Sequence, residues 1–115
     1  MPSRYEPCGL NQLYSLKYGT VPVVHATGGL ADSITNTTDE TLAAGTANGF
    51  SFNNYTTAAL ADALDRACGA FTNWERWVQI VRNGMQQDWS WNHSAREYDR
   101  LYKRTLARAA TSVSF

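Results

Sequence analysis

P-S-R-Y-E-P-C-G-L-N-Q-L-Y-S-L-K-Y-G-T-V-P-V-V-H-A-T-G-G, residues 2–29, reads as a loop carrying one acid, an amphipathic helix, a buried strand and a glycine turn. Leu10, Leu13, Tyr14 and Tyr18 recur at helical spacing, which predicts a helix over residues 9–18 with that face buried. Gly19 closes it, and Pro22 stops it from resuming. The run Val21-Pro-Val-Val-His-Ala is β-branched without alternation, the pattern of a strand covered on both faces as in a parallel sheet. Helix, buried strand and glycine turn make half of a βαβ repeat. Such folds bind ligands at the carboxyl ends of their strands, where Gly28 and Gly29 fall.

The chemistry of this stretch centres on Glu6, which directly precedes the Pro-Cys-Gly expected to open the helix. A helix start offers unpaired N–H donors and about half a positive charge, suited to a phosphate or to sugar hydroxyls. Glu6 could accept hydrogen bonds from hydroxyls or stabilise positive charge developing on a sugar ring. The plain alternative is that Glu6 merely caps the helix. His25, inside an apolar strand, reads as a satisfied core histidine, and His93 as a capping or surface residue. His25, His93, Cys8 and Cys68 are scattered without metal-ligand spacing. No P-loop, G-x-G-x-x-G or nucleophile with a neighbouring base occurs.

Outward from this stretch, Leu30 to Ile34 is expected to form a short helix with Asp32 near its start, and Thr35 to Asn48 a mobile surface loop. Gly49-Phe-Ser-Phe alternates as a last short strand. Tyr55-Thr-Thr caps a helix with Leu60, Leu64, Ala67, Cys68 and Phe71 on its apolar stripe, so Cys68 is expected to be buried. A second helix from Asn73 places Trp74, Trp77, Val78, Val81 and Met85 on one face. Trp74, Trp77 and Trp89 could form a sugar platform, but their helical spacing favours core packing. Asp88-Trp-Ser-Trp-Asn-His-Ser-Ala interrupts the pattern before a final helix with Ala95, Tyr98, Leu101, Tyr102 and Leu106. Ser114 and Phe115 carry no pattern, and there is no internal repeat.

With 115 residues, 43% of them hydrophobic, the chain is about one domain long and has the composition of a folded protein. Ten basic and ten acidic residues balance, so no net field favours nucleic acid or an acidic membrane. Arg96, Arg100, Lys103 and Arg104 are interleaved with Glu97 and Asp99, which reads as a solvated face. No apolar run is long enough to span a bilayer. Two cysteines without C-x-x-C spacing fit free thiols in a reducing, cytoplasmic compartment. The N-x-[ST] triplets at Asn36, Asn54 and Asn92 read as chance matches. Met1 opens almost directly into the candidate site, so the chain is expected to be a fragment of a longer protein or a truncated product.

P-S-R-Y-E-P-C-G-L followed by T-G-G-L-A-D-S, then G-F-S-F and N-G-M-Q-Q-D-W-S-W-N-H-S-A-R-E-Y, closely resembles the C-terminal domain of bacterial glycogen synthases and plant starch synthases. These are retaining glucosyltransferases of the GT-B fold, and the resemblance covers nearly the whole chain. It implies an α/β fold, a partial Rossmann-like domain with a short parallel sheet and several C-terminal helices. Residues 1–115 would form part of the nucleotide-sugar-binding domain, with residues 92–110 as a terminal helix crossing back to the absent N-terminal acceptor domain. Tyr98 and Tyr102 would then be less buried here than their pattern indicates.

The implied reaction transfers glucose from ADP-glucose to the non-reducing end of an α-1,4-glucan, with retention and without an obligatory metal or cofactor. The resemblance makes Glu6 the acid that contacts the donor glucose. Cys8, Gly9, Leu10 and Asn11 would place backbone N–H groups against sugar and diphosphate, with Thr27, Gly28 and Gly29 beside them. A ribose-gripping Glu found in related enzymes is Tyr14 here, which leaves ribose contact at that position open. The cations that neutralise the departing ADP would lie upstream, so this chain would hold half a donor site. A donor such as UDP-glucose, and a non-catalytic module that binds nucleotide-sugar or packs on a partner, remain alternatives.

Overall fold

The computed structural model describes residues 1–112. Its two strands are β1 (Val23–His25) and β2 (Phe50–Phe52). They pair in parallel, with Val23 opposite Phe50 and His25 opposite Phe52. On the other edge of β1, the Met1 amino group donates to Val23 O at 2.6 Å and Met1 O accepts from the His25 N–H at 3.1 Å. Partial burial lowers the pKa of that amino group. Val24 packs with Leu16, Leu30 and Ile34, whereas Val23 packs against a second cluster of Leu42, Ala47, Phe50, Ala67, Ala70 and Ile80. Alternate side chains of β1 thus point into two cores, which is why its apolar run is unbroken.

Helix α1 (Asn11–Lys17) begins two residues later than expected, because Gly9 has φ 72° and cannot be helical. It ends as expected: Gly19, φ 76°, donates to Leu16 O while Thr20 N–H donates to Ser15 O. The buried face is not the one expected. Gln12 and Leu16 turn inward, while Leu10, Tyr14 and Tyr18 are exposed, Tyr18 by 83%. The cause is a pair of neighbours: a Cβ on Gly84 would lie 2.8 Å from Leu16 Cδ2, so the gap at Gly84 receives Leu16, while Gln12 is held against the Cys8 and Gly9 carbonyls and Ser33.

Gly28 and Gly29 form the first turn of α2 (Gly28–Ser33) rather than a turn before it. Asp32 therefore lies near its end. Residues 35–48 are not an irregular surface loop. They contain α3 (Asp39–Ala43), opened by a reciprocal Thr38/Thr41 capping box, and they bury Leu42, Ala47 and Asn48. Asn48 Oδ1 accepts from the Thr35 N–H at 2.7 Å, and its Nδ2 donates to Ser33 O at 3.0 Å and to Gln87 Oε1 at 2.9 Å. The polar residues that mimic a loop are the bonds that hold it.

Thr56 and Asn73 cap α4 (Thr57–Phe71) and α5 (Trp74–Met85), each side chain accepting an N–H from the first turn. Their buried faces again differ from the expected stripes. Helix α4 packs on the sheet through Ala63, Ala67 and Ala70, which leaves Leu64, Phe71 and Cys68 exposed. Small residues win because they let the helix approach the strands closely. Trp77 meets the core reading, stacked on Phe50 and edge-on to Phe71, but Trp74 is 69% exposed and Trp89 is also exposed.

Helix α6 (Trp91–Ser112) starts four residues before Ala95, behind a Ser90 N–H that donates to Asp88 Oδ1 at 2.9 Å. The Ser90 hydroxyl, then its backbone N–H, hold the exposed Asp88 carboxyl below the usual carboxylate range. Tyr98 and Tyr102 are 59% and 64% exposed, in line with the exposure expected of them. Ser114 and Phe115 lie outside the described residues.

Candidate functional site

The chain after β1 turns through Thr27, in extended conformation, whose carbonyl accepts from the Leu30 and Ala31 N–H groups to start α2. Against this turn lies the loop carrying Glu6. The Gly29 N–H donates to Glu6 O at 2.9 Å. A Cβ on Gly28 would come within 2.0 Å of Glu6 O, and one on Gly29 within 1.8 Å of Cys8 O. Real side-chain carbons never approach backbone oxygens so closely, so the two loops can stack only through glycines. Gly28 also has φ 46°, a region that side chains rarely adopt.

The stack brings Glu6 and Cys8 together with Gly28 and Gly29 at the carboxyl end of β1. Glu6 is half-buried, and its Oε2 accepts from Ser3 Oγ at 3.3 Å. It is not a helix cap: α1 starts at Asn11 behind Leu10, and no side chain caps it. Cys8 is exposed, as are Leu10 and Asn11 where α1 begins. Within the described residues the Gly9 and Leu10 N–H groups make no hydrogen bond, so both are free to meet a ligand. Tyr14 is exposed further along α1.

His25 is the satisfied core histidine expected. Its Nδ1 lies 2.8 Å from Ser3 O and its Nε2 3.2 Å from Asn53 O, with the ring packed on Phe52 and Tyr55. The shorter contact fits an N–H at Nδ1. That bond ties the loop before Glu6 to β1, and the packing of the ring on Phe52 and Tyr55 holds it against the end of β2. Among the described residues no group of three or more His, Cys, Asp or Glu side chains could hold a metal ion. No helix there is long and apolar enough to cross a membrane.

Sequence reasoning passed over Gln12 and Ser33. Gln12 Nε2 donates to Cys8 O at 3.0 Å, to Gly9 O at 3.2 Å and to Ser33 Oγ at 3.3 Å, and Ser33 Oγ donates to Gly29 O at 2.6 Å. A glutamine in the first turn of a helix normally faces water. Nothing in its spacing marks it as the inward residue.

A short parallel sheet flanked by helices, with an acid-bearing loop and a Gly-Gly helix start stacked at the strand end, defines the class: part of a Rossmann-like α/β domain. No family model matches the chain. It is 48% identical over 110 residues to a glycogen synthase of Dechloromonas aromatica, covering 96% of this chain and 23% of that protein. To a glycogen synthase of Nitrosospira multiformis it is 53% identical over 106 residues, 92% of this chain and 21% of that one. Its fold superposes with TM-score 0.77 and 37% identity on the catalytic domain of starch synthase IV from Arabidopsis thaliana, solved bound to ADP and acarbose, over 92% of this chain and 22% of that one. The chain is homologous to a segment of the glycogen and starch synthases, and spans about a fifth of the length of the relatives it matches.

Proposed function

We propose that this chain forms one wall of the donor site of a synthase that transfers glucose from ADP-glucose to the 4-hydroxyl at the end of an α-1,4-glucan. In that transfer the bond from the anomeric carbon to the diphosphate oxygen breaks. A bond to the acceptor oxygen forms on the same face, and the hydroxyl proton leaves with ADP. The observation that carries the reading is the stack of the Glu6–Cys8 loop on Gly28 and Gly29, which sets the backbone of the acid-bearing loop against the Gly-Gly helix start at the end of β1 while the Gly9 and Leu10 N–H groups stay unpaired. Glu6 would contact the donor glucose and stabilise charge on its ring. The amides from Cys8 to Asn11, with Thr27, Gly28 and Gly29 beside them, would hold sugar and diphosphate.

The acceptor domain and the cations for the departing ADP would be supplied by a longer protein. Helix α6 would cross to that domain, burying Tyr98 and Tyr102. Exposed thiols at Cys8 and Cys68 fit a cytoplasmic setting. Glu6→Ala in the full-length synthase is expected to lower glucosyl transfer by about 10²-fold or more. A variant with wild-type turnover overturns the reading, and turnover with ADP-glucose against UDP-glucose in the same enzyme decides the base.

A non-catalytic binding module is the second reading. It draws on the exposed apolar surface of Leu10, Tyr14 and Tyr18 beside the site. Absence of heat in calorimetry of the isolated chain with millimolar ADP-glucose removes it.

A further inference from the structure

The buried amide beneath the loop raises a question that core packing does not answer. Gln12 is 1% exposed, yet the two hydrogens of its Nε2 are shared among two carbonyls and a hydroxyl while its Oε1 has no partner. A half-satisfied amide is a costly way to fill space, and an apolar side chain of the same length would fill it without that cost. What distinguishes Gln12 is where its partners lie. Cys8 O and Gly9 O belong to the loop above α2, and Ser33 Oγ passes the contact on to Gly29 O. One side chain therefore reaches both halves of the stack.

The consequence follows from peptide geometry. In a trans peptide the C=O and the next residue's N–H point in opposite directions, and the described residues contain no cis bond. Drawing Cys8 O and Gly9 O inward turns the Gly9 and Leu10 N–H groups outward, and these are the N–H groups without partners. The amide lies so close that a Cβ on residue 9 would sit 2.6 Å from Oε1 and 2.9 Å from Nε2. A carboxylate in place of the amide would set negative oxygen against two carbonyl oxygens.

We infer that Gln12 is the positioning residue of the donor site: it holds the Cys8 and Gly9 carbonyls inward and, through Ser33, ties them to Gly29, so that the Gly9 and Leu10 amides face the nucleotide-sugar. This rests on the donor-site reading above. Misaiming the two amides costs affinity and alignment for the donor and leaves the acceptor's own contacts untouched.

The test uses the full-length synthase with Gln12→Met, Gln12→Glu, Ser33→Ala and, in parallel, Glu6→Ala. Donor and glucan kinetics and the Tm of each variant are recorded. Gln12→Met, which keeps length and loses the donors, is expected to lower kcat/KM for ADP-glucose by about 10²-fold, with a raised donor KM and an unchanged glucan KM. Gln12→Glu should lose at least as much. Ser33→Ala, which cuts the tie to Gly29 alone, should raise the donor KM by about 3- to 10-fold. A Gln12→Met enzyme whose donor KM stays at wild type overturns the inference, even if its kcat falls with the fraction folded. Should both Gln12 variants fail to fold, an unchanged donor KM in Ser33→Ala overturns it. Glu6→Ala separates the two claims: if it stays active, the donor-site reading and this inference fail together, whereas an inactive Glu6→Ala beside normal Gln12 and Ser33 variants refutes the positioning role alone.

Discussion

Residues 6–33 and residues 91–112 start from the same kind of local signal, apolar side chains at helical spacing, and end in opposite states. In the first region, polar groups meet each other across the fold: the Gly29 N–H on Glu6 O, Gln12 on two carbonyls, Ser33 on Gly29 O. In α6 every side chain through residue 109 is exposed except the half-buried Ser94. Its ion pairs, such as Lys103 with Asp99 at 2.7 Å, lie along the helix itself, apart from the Arg96–Asp88 link to the residues just before it. Periodicity makes a helix possible in both places. A covered surface exists in only one of them, because burial needs a second element of matching shape. The small side of α5 at Gly84 supplies that for α1, whereas among the described residues Tyr98, Leu101, Tyr102 and Leu106 stay more than half exposed.

The contrast can be broken by mutation. Gly29→Ala should show the largest effect, since its methyl would sit 1.8 Å from Cys8 O and must push the two loops apart. We expect a loss of about 3 kcal/mol in urea denaturation, and a tolerated alanine would mean that the stack is looser than described. Asn48→Leu comes next. It removes three hydrogen bonds and strands the buried Ser33 carbonyl, which should cost about 2 kcal/mol by the same measurement. A change near zero would restore residues 35–48 to the status of an ordinary loop. Tyr102→Ser should fall within about 0.5 kcal/mol of the parent chain, as exposed positions do. A large loss there would show that α6 is covered after all.

Much of this architecture was legible beforehand. Gly19, Thr56 and Asn73 end or start helices where their chemistry places them, because a cap depends on residues three or four apart. The parallel pairing of two short strands was legible from the β-branched run and from Gly49-Phe-Ser-Phe, and the grouping of Glu6 with Gly28 and Gly29 from the motif they share with known enzymes. The misreadings have a common cause. Cys68, Trp74 and Tyr14 lie on real apolar stripes, but a helix can carry two such stripes, and spacing does not say which one meets a neighbour. On α4 the alanine stripe won because the sheet lies close beneath it. Thr35 to Asn48 looked like a loop for a related reason: Asn and Thr signal turns on the surface, and the same side chains can be buried as bond donors.

The sequence by itself determined the caps, the strands and the residue types at the site, since those follow from contacts between near neighbours and from the chemistry of single side chains. Tertiary structure alone decided that the Glu6 carbonyl rests on Gly29, that Gln12 faces inward, and that the alanines of α4 rather than Leu64 and Phe71 meet the sheet. Each of these depends on whether a partner distant in sequence comes within bonding distance, and local pattern carries no information about that distance.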